Sequence, residues 1–229
     1  MRLDRFVQIN TAYSRQQVRL LLAQGQVRVA GKVVRDAEVR VDSFVRIELQ
    51  EQLLQDTNAV YLMLNKPAGI VSATEHPEHQ TVIDLLPEHL RAGVHYAGRL
   101  DLKTTGLMLL TNDGLWSRRV TQPETETAKV YLVTTKDKIS SEVAEVFHRG
   151  IYFKYEDITT RPAELELISD YQCRLTLHEG RYHQVKRMFG YFDNEVTALH
   201  RESIGAIQLD PDLEPGEYRT LSTDEIVLF

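Results

Sequence analysis

Three short segments of this 229-residue chain mix polar and charged side chains too densely for plain core elements. Asn65-Lys66-Pro67-Ala68-Gly69 is a polar turn set between two hydrophobic stretches. In Gly98-Arg99-Leu100-Asp101, Arg99 and Asp101 stand two apart in an extended loop and so point the same way. Thr104-Thr105-Gly106 and an apolar run follow, giving that loop a strand as a rigid mount. Glu179-Gly180-Arg181-Tyr182-His183-Gln184-Val185-Lys186-Arg187-Met188 gathers four potentially cationic side chains around a glycine turn. A carboxylate can act as a nucleophile, and cations near it favour its charged form and fix its orientation. Taken singly, each segment is more simply a surface loop.

Other chemistries lack their residues. The chain has no Gly-x-Gly-x-x-Gly, no Walker A loop, no Gly-x-Ser-x-Gly and no His-Glu-x-x-His. His76 and His79 form the only close histidine pair, in a loop with Pro77, and read as solvated rather than metal-ligating. The single cysteine, Cys173, cannot form an internal disulfide and reads as a small core residue. No metal and no cofactor are expected.

The elements that must hold the three segments start from an ordinary globular composition, 42% hydrophobic and 26% charged, with length for one or two domains. No apolar run is long enough to span a membrane, and the N-terminus lacks an apolar signal core. A reduced, cytoplasmic protein is expected. The net charge of −6 argues at first against nucleic acid, but it is unevenly spread. Residues 1–47 hold nine Arg and Lys against four acids, a net of +5, which leaves −11 on the rest. A small basic module joined to an acidic body is the pattern.

Within the module, Leu3, Phe6 and Val7 have helical spacing, and Ser14 with Gln17 forms a capping box for a helix that Gly25 stops. Gln26–Val29 and Lys32–Val34 read as a hairpin turning at Ala30-Gly31, with further strands at Val39–Val41 and Phe44–Ile47. Arg15 and Arg19 share a helix face away from the apolar stripe, and Arg28 points outward from a strand. Such a surface suits phosphate tracking or plain solvation equally. The run Ser14–Arg19 leading into Gly25–Lys32 resembles the S4 RNA-binding domain over about residues 1–48, and that resemblance implies contact with structured RNA.

Residues 49–59 are polar and read as a linker. From 60 to 229, strands are expected at Tyr61–Leu64, Gly106–Leu110, Val130–Thr134 and Cys173–Leu177. Helices are expected at Thr81–Leu86, from Trp116, at Ser140–Arg149, at Tyr182–Phe189, and after a capping box of Ser222 and Glu225. Strands and helices without βαβ rhythm favour an α+β domain on a mixed, mainly antiparallel sheet.

Taken together and in order, the segments resemble the RsuA family of pseudouridine synthases, the small-subunit ribosomal RNA type. Lys66–Gly69, Gly98–Asp101, Lys129-Val130-Tyr131, Glu179–Met188 and the closing Asp212–Arg219 carry the likeness. It implies isomerisation of uridine to pseudouridine, which needs neither hydride carrier nor metal. It implies Asp101 as nucleophile, toward either C1′ of the ribose or C6 of the base. By register Lys186 supplies the cation beside it, with Arg187 the other candidate. Tyr131 would stack on the uracil, and its hydroxyl would serve proton transfer at C5. Arg99 would fill the space left by the flipped base or grip flanking phosphates, and Lys66 would shape the substrate site. Arg15, Arg19 and Arg28 would bind RNA. The partner implied is ribosomal RNA, bound by a monomer. Large-subunit RNA as target, or a catalytically silent RNA-binding assembly factor, are the alternatives.

Overall fold

The computed structural model describes residues 1 to 229. They form two compact units, Met1–Ala59 and Val60–Phe229.

In the first unit, helices α1 (Leu3–Ile9) and α2 (Arg15–Ala23) share one core with a four-stranded antiparallel sheet. Its strands are β1 (Val27–Val29), β2 (Lys32–Val33), β3 (Ile47–Leu49) and β4 (Gln52–Gln55), in the order β2-β1-β3-β4. The capping box forms: the Ser14 hydroxyl accepts from the Gln17 amide, and the Gln17 side chain accepts from the Ser14 amide. The β1–β2 hairpin turns through Ala30 and Gly31, both left-handed at φ 48° and 76°, which matches the twist of its strands. Two strand expectations shift. Val39–Val41 makes only an isolated bridge, from Arg40 to Arg2. Phe44–Ile47 is bent because the Asp42 carboxylate accepts from the Phe44 and Val45 amides, so β3 begins at Ile47. The stretch read as a linker contains β4, which pairs with β3 and packs Leu54 on the core.

The second unit is built on one nine-stranded sheet. Its strands are β5 (Tyr61–Lys66), β6 (His95–Ala97), β7 (Thr105–Thr111), β8 (Lys129–Thr135), and, beyond the small hairpin β9 (Tyr152–Phe153) and β10 (Ile158–Thr159), β11 (Glu164–Ser169). β12 (Gln172–Leu177), β13 (Val196–Ile204), β14 (Ile207–Gln208) and β15 (Tyr218–Thr220) complete it. The order is β11-β12-β8-β13-β7-β5-β15, with β14 on β13 and β6 on β7. Every pairing is antiparallel except β13 with β7, so the unit is α+β on a mixed, mainly antiparallel sheet.

One face of the sheet carries the larger core, capped by Phe147 of α5 (Glu142–Arg149) and Phe189 of α6 (Gln184–Gly190). The other face buries Trp116 of α4 (Gly114–Thr121) and packs Ile226 of α7 (Thr223–Ile226). Asp113 caps α4 and the Ser222–Glu225 box caps α7. Thr81–Leu86 is not a helix. Asp84 folds back onto Thr81, accepting from its amide and its hydroxyl, and Pro87 restricts Leu86, so the helical turn at Glu88–Arg91 (α3) starts only after the proline. Helices α3 to α7 thus all lie outside the first unit.

Candidate active site

Strand register builds the site. Lys66 on β5 is paired with Gly106 on β7, Gly106 with Arg201 on β13, and Arg201 with Tyr131 on β8. Paired positions project to the same face, so one transverse row crosses the middle of the sheet. Gly106 is obligatory in that row. It sits at φ 101°, and a Cβ there would lie 2.4 Å from the Arg201 carbonyl oxygen and 2.7 Å from its nitrogen. Beside the row opens a cavity of about 760 Å³, lined among others by Arg99, Asp101, Tyr131, His183, Lys186 and Arg201.

Asp101 enters this cavity from a loop fixed on both sides. The Ser72 hydroxyl donates to the Leu100 carbonyl at 2.7 Å and accepts from the Leu100 amide at 3.0 Å. The Lys66 ammonium donates to the carbonyls of Pro67, Asp101, Leu102 and Thr104, between 2.9 and 3.4 Å. A carboxylate mounted between two such anchors is preorganised.

The cation comes from α6. Lys186 Nζ donates to Asp101 Oδ2 at 3.1 Å, and the two side chains are about one-third exposed. His183 Nε2 lies 3.5 Å from Asp101 Oδ1, with its backbone left-handed at φ 50° and its ring stacked on Tyr182. Buried Glu179 organises this end of the helix. It accepts from Gln184 Nε2 at 2.7 Å, from the Arg161 amide and from Arg181 Nε, while Gln184 Oε1 accepts from the Arg181 amide. The sequence motif contains His183 and Glu179 but assigns neither a task. The approach of His183 to Asp101 is a tertiary fact, whereas the Glu179–Gln184 bond spans only five residues.

The structure therefore brings together Asp101, Tyr131, Lys186 and Arg99, and it separates others. Arg187 does not face Asp101. Its guanidinium forms a two-pronged pair with Glu156 and lies 3.7 Å over the Phe153 ring, because successive helix positions point about 100° apart. Lys66 cannot touch RNA as it stands: it is fully buried and its ammonium is committed to main-chain carbonyls. Burial pulls its pKa down to about 8, opposed by the Asp101 charge and helped by that of Arg201. Burial, again reinforced by Arg201, also lowers that of Lys129, whose Nζ donates to the Thr127 carbonyl. Arg99 is exposed at the cavity, and its carbonyl accepts from Arg201 Nη1 at 3.4 Å. Arg201 itself escaped sequence reasoning, since a buried arginine in a central strand has no periodic signature.

In the first unit, Arg15, Arg19 and Arg28 are exposed on α2 and β1, and none of them forms a salt bridge, whereas Arg2 and Arg46 pair with acids. His76 and His79 are a loop device: His76 Nδ1 accepts from the Glu78 and His79 amides. No group of three His, Cys, Asp or Glu is placed to hold a metal ion. Cys173 is buried in the core, where burial pushes its thiol up to about 12.

Comparison with known proteins identifies the family. Residues 60–191 match the family model described as RNA pseudouridylate synthase, and residues 1–47 match the S4 domain. The chain is 55% identical over 227 residues to "Ribosomal small subunit pseudouridine synthase A" of Pseudomonas aeruginosa, covering 99% of both chains. It is 44% identical over 227 residues to the Escherichia coli K12 protein of the same name, covering 99% of this chain and 98% of that one. A crystal structure of a pseudouridylate synthase superposes with a TM-score of 0.74 at 40% identity, over the full length of both chains. Behind an S4 domain, and with Asp101, Tyr131 and Lys186 around one cavity, the chain belongs to the RNA pseudouridylate synthase family.

Proposed function

We propose that this pseudouridine synthase isomerises one uridine of small-subunit ribosomal RNA, with Asp101 as its nucleophile. The observation that carries the role of Asp101 is its setting: a carboxylate held from behind by Lys66 and Ser72, oriented by Lys186 and open to a cavity shared with Tyr131. A base inside folded RNA must leave its stack to reach such a cavity, at a cost of a few kcal/mol. Tyr131 then offers its ring face to the uracil and Asp101 attacks, at C1′ or at C6, while Lys186 keeps the carboxylate aimed and balances its charge. Arg99, at the cavity edge, contacts the flanking nucleotides.

The names of the relatives support small-subunit RNA as the target. The first unit is the recognition module, with Arg15, Arg19 and Arg28 on phosphates, and residues 60–229 do the chemistry. We read the protein as acting as a monomer, since residues 60–229 alone suffice to form the cavity. No helix is long and apolar enough to cross a membrane, and ribosomal RNA as substrate sets the work in the cytoplasm. Mapping pseudouridines in ribosomal RNA from cells with and without the gene tests the reading. Loss of one small-subunit site is expected. Loss of a large-subunit site instead would overturn the target, and no loss would favour an RNA-binding assembly factor.

A further inference from the structure

Arg201 is only 2% exposed, yet its guanidinium is not fully used. Nε donates to the Leu107 carbonyl at 2.8 Å and Nη1 to the Arg99 carbonyl at 3.4 Å, but Nη2 is buried without a partner. No carboxylate pairs with it either: Asp101 is taken by Lys186 and approached by His183. An orphaned donor on a buried, uncompensated cation is costly, and a catalytic role is one of the reasons such a group is kept.

Arg201 lines the same cavity as Asp101 and is the register partner of Tyr131. Tyr131 and Arg201 therefore project side by side from adjacent strands, and a base lying on the Tyr131 ring turns an edge toward the guanidinium. The other cations at the floor are weaker rivals. Lys66 and Lys129 are both shifted toward their neutral forms, with Arg201 contributing, and their ammonium groups are occupied by carbonyls.

We propose that Arg201 contacts the target base: its free Nη2 donates to a carbonyl oxygen of the flipped uracil and stabilises the negative charge that gathers there during isomerisation. The inference rests on the pseudouridylation reading above and holds for either point of attack. If Asp101 attacks C1′, the N1–C1′ bond breaks and its electron pair enters the ring, resting largely on O2 and O4. If it attacks C6, the C5–C6 π pair moves toward C5 and O4. In the first route C5 then attacks C1′ and displaces the Asp101 carboxylate. In the second the N1–C1′ bond breaks, C1′ rejoins the ring at C5, and the Asp101–C6 bond is released. In both, C5 loses its proton and N1 gains one, which restores the neutral ring and the free carboxylate. Charge on the oxygens rises and then falls, so a donor fixed beforehand contributes most midway.

The test uses full-length protein and a target RNA carrying uridine, 2-thiouridine or 4-thiouridine at the modified position. Single-turnover conversion and RNA affinity are measured for wild type, Arg201→Gln and Arg201→Lys, with melting to check folding. Arg201→Gln is expected to slow conversion at saturating RNA by about 10²–10³-fold while affinity changes by less than about threefold. Sulfur is a poor hydrogen-bond acceptor, so one of the two thio substitutions should slow wild type markedly and Arg201→Gln hardly at all, the non-additivity of a direct contact. A purely structural arginine would lower the melting temperature and slow all three substrates by one common factor. That result, or thio effects of equal size in wild type and variant, overturns the inference. Should Arg201→Gln fail to fold, Arg201→Lys, which keeps the charge but has lost the fork, is read by the same comparison. Wild type that converts none of the uridine RNA would sink the functional reading itself, a different outcome from normal conversion with unchanged thio effects.

Discussion

Lys186 faces Asp101 across 3.1 Å, while its neighbour Arg187 turns to Glu156 and the ring of Phe153. Two adjacent cations thus face different partners. Lys186→Met should reduce conversion at saturating RNA by about 10²–10³-fold, the scale for losing one charge-stabilising group. Arg187→Met should act mainly on stability, lowering the melting temperature while the rate per folded molecule falls far less. Single-turnover assays beside thermal melts separate the two. Equal losses of rate would return Arg187 to the chemistry.

Asp101→Asn preserves shape and replaces the proposed nucleophile with an amide. RNA binding should persist and turnover should vanish. Substantial single-turnover conversion by the folded variant would remove Asp101 from its role. Tyr131→Phe keeps the stacking face and removes the hydroxyl, so a wild-type rate would leave stacking as the task of Tyr131.

Lys66 links the site to pH. Its folded pKa, about 8, lies below the ordinary lysine value of 10.5 because the ammonium is buried. Between those values the unfolded chain carries a proton that the folded chain does not, so this residue makes stability rise with pH through that window. The contribution is at most about 1.4 kcal/mol per pH unit. Lys66→Met abolishes it, so wild type should gain on the variant in urea melts as pH is raised from 8 to 10.5. A stability difference independent of pH would contradict the assigned protonation.

Arg15 and Arg19 stand free of salt bridges on α2. If both meet phosphates, replacing them with Gln weakens RNA binding and flattens its salt dependence by about one to two units of slope. Turnover at saturating RNA should hardly change. Titrations over a range of salt measure this, and an unchanged slope would make the two arginines mere solvation of a helix face.

Gly106→Ala should destabilise the protein by about 3 kcal/mol or more, because a methyl group there meets the backbone of Arg201 and only strand separation relieves it. Gly31→Ala is the control. It also has positive φ, but nothing lies within 4 Å, so roughly 1 kcal/mol of backbone strain is all it should lose. Chemical denaturation of the two variants compares them.

What the sequence disclosed followed how local each signal was. Ser14 with Gln17 and Ser222 with Glu225 set helix starts through bonds spanning three residues, and both boxes form. Tyr61–Leu64 and Cys173–Leu177 carried enough apolar residues to announce strands. Phe44–Ile47 carried apolar residues enough for a strand too, but the Asp42 side chain claimed its amides first. β13 was invisible because its inward positions include Arg201 and Ser203, polar residues that a central strand tolerates only in a particular tertiary setting. Asp101 stood out by its motif. That Lys186 and not Arg187 meets it depends on how α6 docks, and that Lys66 is buried depends on a loop lying 35 residues further on.

The place of β13 in the strand order also governs when an active enzyme can exist. Without it the sheet falls into two halves, β11-β12-β8 on one side and β7-β5-β15 on the other, with no ladder between them. Both halves precede β13 in the chain, apart from β15, so ribosomes making this protein release nearly all its strands before the one that joins them. Pairings this distant in sequence form slowly. A nascent chain emerging from the N-terminus exposes its S4 module first, and that module has its own core. During that interval the growing protein has the means to hold RNA and no assembled pocket with which to alter it.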